Sequence, residues 1–317
     1  MSDSVVINPA SLPATGSFRL RMILAFFAIY FLWGTTFLAI RIAVEELPPF
    51  FAAGTRFFIA GIALYAFMRV KGAALPTPAQ WRNLAIMALT MFVAEYGPLF
   101  WAEKFVPSGI VSVLAATIPI LTLILEMLIL RQQHFRVSIL LSSLLGFAGV
   151  GLLLLRGNGL SFPLVPCIAV LAGSVSWSLG AVLSRSMDLP SARPLTAGAI
   201  MMLGGVGLLL LSASFGELHP LPHISLRAAL AVLYLIVFGS LVAFTAYIWL
   251  LAHMPASSVS SYAYVNPVVA VALGHFAAAE PVTARTLAGT ALVIFSVFLT
   301  LHQPKPASPP KQKAQSA

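Results

Sequence analysis

Four ionisable side chains, Arg56, Glu95, Glu126 and His275, interrupt long apolar stretches of this chain. A charged group near the centre of a bilayer costs roughly 2.5–3.5 kcal/mol on insertion scales unless it meets water or a partner. Each is therefore a candidate for coupling, gating or cargo contact. Glu95, with Tyr96 beside it, is the foremost: a carboxyl so placed can exchange a proton or meet cargo. The alternative is an outer-end carboxylate that reaches water or pairs with Arg56. Glu126 can instead snorkel to a membrane edge and meet Arg131 or Arg82. Arg56 is expected to pair with Glu45, Glu46 or Glu95, or with lipid phosphates, as a structural or gating ion pair or as a ligand for a cargo carboxylate. His275 shares a helical face with Ser261, Tyr264 and Val268 by three- and four-residue steps. It is a titrating group or a membrane-edge histidine.

A second group is marked by repetition. Trp33–Arg41 reads WGTTFLAIR and Trp177–Arg185 reads WSLGAVLSR, 144 positions later. Trp101, Pro107 and Pro119 recur as Trp249, Pro255 and Pro267, each 148 positions on. The chain is one apolar unit written twice, the mark of a carrier that holds its cargo between two halves. Pro119 and Pro267 each remove a helix donor and crowd the carbonyl four residues earlier, at Ala115 and Ala263. Interrupted helices at matched places point to a transport site; an ordinary kink is the alternative. Asn266 adds an amide with donors and an acceptor, and Tyr262 and Tyr264 stand one turn before it. Trp33 and Trp177 fall within apolar stretches rather than at their edges, where Trp forms belts. The expected cavity is lined by Trp33, Glu95, Tyr96, Pro119, Trp177, Tyr262, Tyr264, Asn266 and Pro267. Glu95, Glu126, Arg56 and His275 are the coupling or gating residues. Arg41 and Arg185, repeat partners near the ends of apolar runs, read as anchors or gate residues. Ser174, Ser176 and Ser178, beside Gly173 and Gly180, give a small-residue face for close helix contact.

Motifs for other chemistry are missing. There is no Walker A pattern, no GxSxG and no HExxH, so the chain is not expected to be an enzyme. Transport energy must come from a gradient or from the cargo itself. The single cysteine, Cys167, excludes an internal disulfide and reads as a packing residue. His219 and His223 with Glu217 make at most a weak metal site, and neither metal nor cofactor is expected.

The elements that must position these residues are membrane helices. Of 317 residues, 60% are hydrophobic and 9% charged, too few charges to coat a surface in water. The net charge of +9 comes from residues set singly at the ends of apolar runs, not from a patch, which argues against nucleic acid. Lipid is the expected solvent. Stretches of about 20 apolar residues cross about 30 Å of hydrocarbon as helices. Ten qualify: 20–43, 50–70, 82–103, 107–131, 137–155, 164–185, 194–213, 228–251, 257–279 and 283–302. The first is too long for a signal peptide and is read as a retained span. Strands alternating in a barrel pattern are absent.

The fold class is thus an all-α integral membrane protein of ten helices in two inverted five-helix repeats. Residues 20–156 form the first repeat and 164–302 the second, with cytoplasmic tails at 1–19 and 303–317. Five spans per unit is odd, so the second copy inserts upside-down relative to the first. With the N-terminus inside, twelve Lys and Arg face the cytoplasm and five face outward, which favours both termini inside.

The stretches WGTTFLAIR with PPFFAAGTRF, VPSGIVSVLAATIPI, GSVSWSLGAV, SYAYVNPVVAVALG and AAAEPVT together resemble the EamA family of the drug/metabolite transporter superfamily, over residues 20–302. SYAYVNPVVAV and VFGSLVAFTAYIWLL are most similar to its YedA-like branch. The resemblance implies a central cavity lined by spans 1, 3, 4, 6, 8 and 9, an inner-membrane location, and export of small metabolites such as amino acids or drug-like compounds. Alternating access, with proton coupling as an option, is the expected mechanism; uptake through the same fold is the alternative, and a membrane-embedded enzyme a weaker one. The expected partners are a small-molecule substrate and the lipid bilayer, the chain acting as monomer or homodimer.

Overall fold

The structure, a computed structural model, describes residues 16–130, 137–156, 159–160, 163–219, 224–254, 259 and 262–301. In chain order its helices are α1 (Ser17–Glu46), α2 (Pro49–Val70), α3 (Pro78–Ala102) and α4 (Ser108–Ile129). Then follow α5 (Val137–Leu154), α6 (Leu164–Leu183), α7 (Arg193–Ser214), α8 (Leu226–Leu251), α9 (Tyr262–Ala278) and α10 (Ala284–Leu301). Seven of these, α1–α4 and α6–α8, are long and apolar enough to cross a membrane. The other three hold shorter apolar stretches, Leu144–Leu153, Val265–Ala278 and Ala284–Ser296. Between α5 and α6, β1 (Leu155–Arg156) pairs antiparallel with β2 (Gly159–Leu160), a two-residue exception to the helical class. The expected tails fall outside the described residues, apart from the start of α1.

The helix starts follow from local chemistry. Pro49, Pro78 and Pro194 occupy first-turn positions, where a missing N–H costs nothing. Thr77 and Gln80 cap α3 reciprocally, and Ser225 caps α8. Two caps come from far away. The Glu217 carboxylate accepts from the amides of Phe50 and Phe51 at the start of α2. The Glu280 carboxylate accepts from Ser108 and Gly109 at the start of α4. These contacts mark one end of the bundle, here the Glu103 end. At the opposite, Arg185 end, Asn83 donates to the Asp188 carbonyl and Phe18 packs on Trp249 and His253.

Packing relates the two halves. α1 packs on α8 and α9; α6 packs correspondingly on α3 and α4. The pairs α2–α7, α4–α9 and α5–α10 join counterparts directly. Glycines let these backbones touch: a Cβ built on Gly205 would run into the Phe58 amide nitrogen, and Gly149 and Gly289 each face the other's carbonyl. Such small-residue contacts drive association where lipid offers no hydrophobic push. The outer flank is apolar and uncovered, with Val165, Leu226 and Phe276 exposed, as helices facing hydrocarbon require.

Four helices depart from α geometry. Wider π turns occupy Ala28–Leu32 in α1, Leu89–Val93 in α3, Glu126–Leu130 at the end of α4 and Leu235–Val242 in α8. In α4 a turn at Ala116 and Thr117 divides the helix just before Pro119. The matching interruption expected at Pro267 is not seen: α9 runs continuously through it.

Candidate functional site

The π turns of α1, α3 and α8 converge on the middle of the bundle, and each receives a side chain from another helix. With its amide oriented to satisfy both acceptors, Asn266 of α9 donates to the carbonyls of Ile29 and Tyr30, at 3.1 and 2.7 Å. Trp33 Nε1 of α1 donates to the Gly239 carbonyl of α8 at 3.0 Å. Ser176 of α6 donates to the Thr90 carbonyl of α3 at 2.9 Å. A π turn shifts its carbonyls out of α register, and in lipid each must find a partner. The last two bonds are near-symmetry mates: Ser176 and Thr90 each stand one residue before the repeat equivalents of Trp33 and Gly239.

These elements enclose a cavity of about 50 Å³. Trp33, Thr36, Phe37 and Ile40 of α1, Glu95, Tyr96 and Leu99 of α3, and Trp177 of α6 line it. The divided α4 contributes Ser112, Ala115, Ala116 and Ile118, and α9 contributes Tyr262, Asn266 and Pro267. Trp33 stands at the aromatic centre. Its ring meets Trp177 edge-on at 6.1 Å and Tyr262 edge-on at 5.1 Å. Tyr247 of α8 closes the back, 5.0 Å from Trp33 and 5.6 Å from Trp177. The negative ring faces and one carboxylate make an enclosure suited to a cationic or amine-bearing group.

Glu95 is buried, and its Oε2 has no hydrogen-bond partner among the described residues. Gly173 makes room for it: a Cβ there would lie 2.6 Å from that oxygen. The hydroxyls of Thr36 and Ser112 are spent on their own helices, on the Trp33 and Gly109 carbonyls. Among the described residues Glu95 Oε2 is thus the cavity's buried lining polar atom without a partner.

Several expectations change. Arg56 is fully buried yet pairs with no carboxylate among the described residues. Its Nε donates to Ser240 at 2.9 Å, and its guanidinium lies 4.5 and 5.4 Å from the Phe57 and Tyr96 ring centres. Glu45 faces Arg41 and Arg227 instead. The planar, weakly hydrated guanidinium suits this dry aromatic setting. Glu126 bridges to Arg185 of the second half at 2.5 Å rather than to Arg82; Arg131 lies outside the described residues. His275 is exposed at the Glu103 end, within 3.1 Å of the Glu280 carbonyl, and does not reach the cavity. Pro119 packs behind the lining rather than in it. The Tyr264 side chain, Ser261 and His223 lie outside what is described. Ser174, Ser176 and Ser178 donate to helix carbonyls, and Cys167 is buried.

Sequence reasoning passed over Tyr247, Phe244 and Ser240, whose α8 stretch carries no charge and no proline to single them out. It also passed over a second cavity, of about 340 Å³, at the Arg185 end between Met87, Ser184, Arg193, Thr196 and Leu251. That one is bounded by link residues whose approach the primary structure does not encode.

Comparison with known proteins agrees with this architecture. The profile of the EamA-like transporter family matches residues 20–155 and 164–302. The inner membrane transporter YedA of Escherichia coli K12 is 40% identical over 280 residues, 87% of this chain and 89% of YedA. The transporter YvbV of Bacillus subtilis 168 is 27% identical over 285 residues, 89% of this chain and 91% of YvbV. One solved crystal structure superimposes with a TM-score of 0.65 at 21% identity, covering 89% of this chain and 97% of that one.

Proposed function

The chain belongs to the EamA-like transporter family, and on that premise we propose that this multi-pass membrane transporter exports small amine-bearing metabolites by alternating access, driven by proton exchange at Glu95. The observation that carries the reading is the meeting of Trp33 and Trp177, repeat partners, over one small central cavity that holds a buried carboxyl. A site built from corresponding residues of two halves is served equally by either half when one rocks against the other. The exchange pattern of the helix contacts supports ten spans in two inverted five-helix repeats, α1–α5 and α6–α10.

At about 50 Å³ the central cavity has room for one or two waters. Cargo enters only when an end opens. The larger cavity at the Arg185 end supports access from that side, and the Lys/Arg distribution favours the cytoplasm there, with both termini on the same side. Cargo ammonium and proton compete for the same Glu95 oxygens, so one leaves as the other binds. That competition couples the two flows without any nucleotide.

The test is transport by the full-length protein in proteoliposomes, with a panel of amino acids and organic amines and an imposed pH gradient. Glu95→Gln is expected to abolish the gradient dependence while leaving the protein folded, because Gln keeps the volume. Gradient-driven flux that survives in this variant removes Glu95 from the coupling step.

A further inference from the structure

Beyond the central cavity, the structure buries a second carboxyl with nothing to hold it. Glu103 follows α3 directly, has no exposed surface, and neither carboxylate oxygen has a hydrogen-bond partner among the described residues. Burial, together with the nearby Glu280 charge, holds its carboxyl well above the usual carboxylate range. The charged groups around it are few. Arg41 of α1 donates to the backbone carbonyl of Glu103, not to its carboxylate, and shares its charge with Glu45 at 3.9 Å. Arg41 favours the ionised form, but less than burial opposes it. From the α9–α10 link comes Glu280, whose carbonyl faces exposed His275. Lys104 is next in sequence and exposed.

Glu280 is committed to another task. Its Oε1 accepts from the Ser108 amide and hydroxyl, both at 2.8 Å, and its Oε2 from the Gly109 amide at 3.2 Å. It therefore serves as the cap of α4 and straps the second half across the Glu103 end onto the first. α3 and α4 meet there, with Arg41 tying α1 to the same corner.

We propose that Glu103 is a proton-binding site that locks this end of the transporter: with its proton in place the end is closed, and loss of the proton to water on that side opens it. Ionisation puts a second negative charge beside Glu280 in a dry junction, with no hydrogen-bond donor on it among the described residues. Opening lets water solvate both. The closed state binds the proton more tightly than the open one, so closure is favoured at low pH and lost as pH rises through the closed-state value. The inference rests on the alternating-access reading only in taking this end as a gate. Glu95 exchanges a proton for cargo; Glu103 senses the pH at one mouth.

The experiment uses the full-length protein with Cys167→Ala and a reporter, Ser112→Cys, in the central cavity. A membrane-impermeant maleimide is added to vesicles presenting the Glu103 end, and rates are taken relative to Phe105→Cys, an exposed position there, so that the reagent's own pH dependence cancels. The relative rate is expected to rise about tenfold between about pH 6 and pH 9. Glu103→Gln, a permanently neutral stand-in, should label slowly at every pH. Glu280→Gln should move the midpoint to lower pH, because the repelling charge is gone. A pH-dependent rise that persists in Glu103→Gln overturns the proposal, as does a wild-type rate that ignores pH. Should Glu103→Gln fail to insert, an unshifted midpoint in Glu280→Gln overturns it equally. Labelling needs no cargo, so failure of the transport reading, seen in Glu95→Gln flux, is separable from failure of this one.

Discussion

A buried polar side chain can be defined by what its neighbour leaves vacant. Gly173 is the clearest case, since its missing Cβ is the space the Glu95 carboxyl occupies. In Gly173→Ala the new methyl would lie 2.6 Å from Oε2 and 3.2 Å from the Glu95 Cα. The carboxyl can rotate away, so folding should survive while the proton site is displaced. Gradient-driven flux should fall about tenfold, equivalent to about 1.4 kcal/mol, with little change in the thermal melting of the purified protein. A variant that transports like the parent would show that the exact seat of that carboxyl is immaterial. Trp33 and Trp177 were legible as a pair because the repeat singles them out, and Glu95 because charge is costly in lipid. The setting of Arg56 was not: its partners are ring faces and a serine distant in sequence, and nothing local announces them. Glu103 was hidden for the opposite reason. Beside Trp101 and Lys104 it reads as an ordinary membrane-edge charge, and only burial by α1 and the α9–α10 link makes it unusual.

Among the elements, apolar length fixed the positions of the helices to within a few residues, because a bilayer tolerates little else. The irregularities were only half legible. Pro119 announces the division of α4. The π turns in AIYFL and LTMFV contain neither proline nor glycine, and they depend on donors that Asn266 and Ser176 bring from other helices. Three helices are thus wound loosely at the level of the cavity and held by one or two cross-bundle hydrogen bonds apiece, each worth about 0.5–1.5 kcal/mol. They are the natural places for a bend, whereas the α4–α9 crossing is tight. A Cβ built on Gly109 lies 3.5 Å from the Val271 Cβ, within the span of a disulfide. Gly109→Cys with Val271→Cys, in the Cys167→Ala background, is expected to cross-link under mild oxidation and to arrest transport at least tenfold, with recovery on reduction. Cross-linked protein that still turns over would mean that the Glu103 end does not part between α4 and α9.

In the whole molecule, the halves are not two domains resting side by side. α2 lies on α7, α4 on α9 and α5 on α10, so each half presents its closest-fitting surfaces to the other. The Gly205 contact with the Phe58 backbone leaves no room even for a methyl group. Overpacking of this kind costs roughly 1–3 kcal/mol, and Gly205→Leu should lower the melting temperature and the yield of folded protein while leaving the cavity side chains in place. A chain cut between β2 and α6 should accumulate only when both pieces are made together. A piece that accumulates alone in folded form would contradict the mutual burial described here.

The capping of α4 by Glu280 carries a last consequence. The residue that finishes the first copy's fourth helix belongs to the second copy, so the second copy does more than double the first: it completes it. Changes that weaken that carboxylate cannot be offset within the first copy alone. Divergence between the two must therefore proceed in matched steps, and the corner where they are stitched should be the slowest to drift.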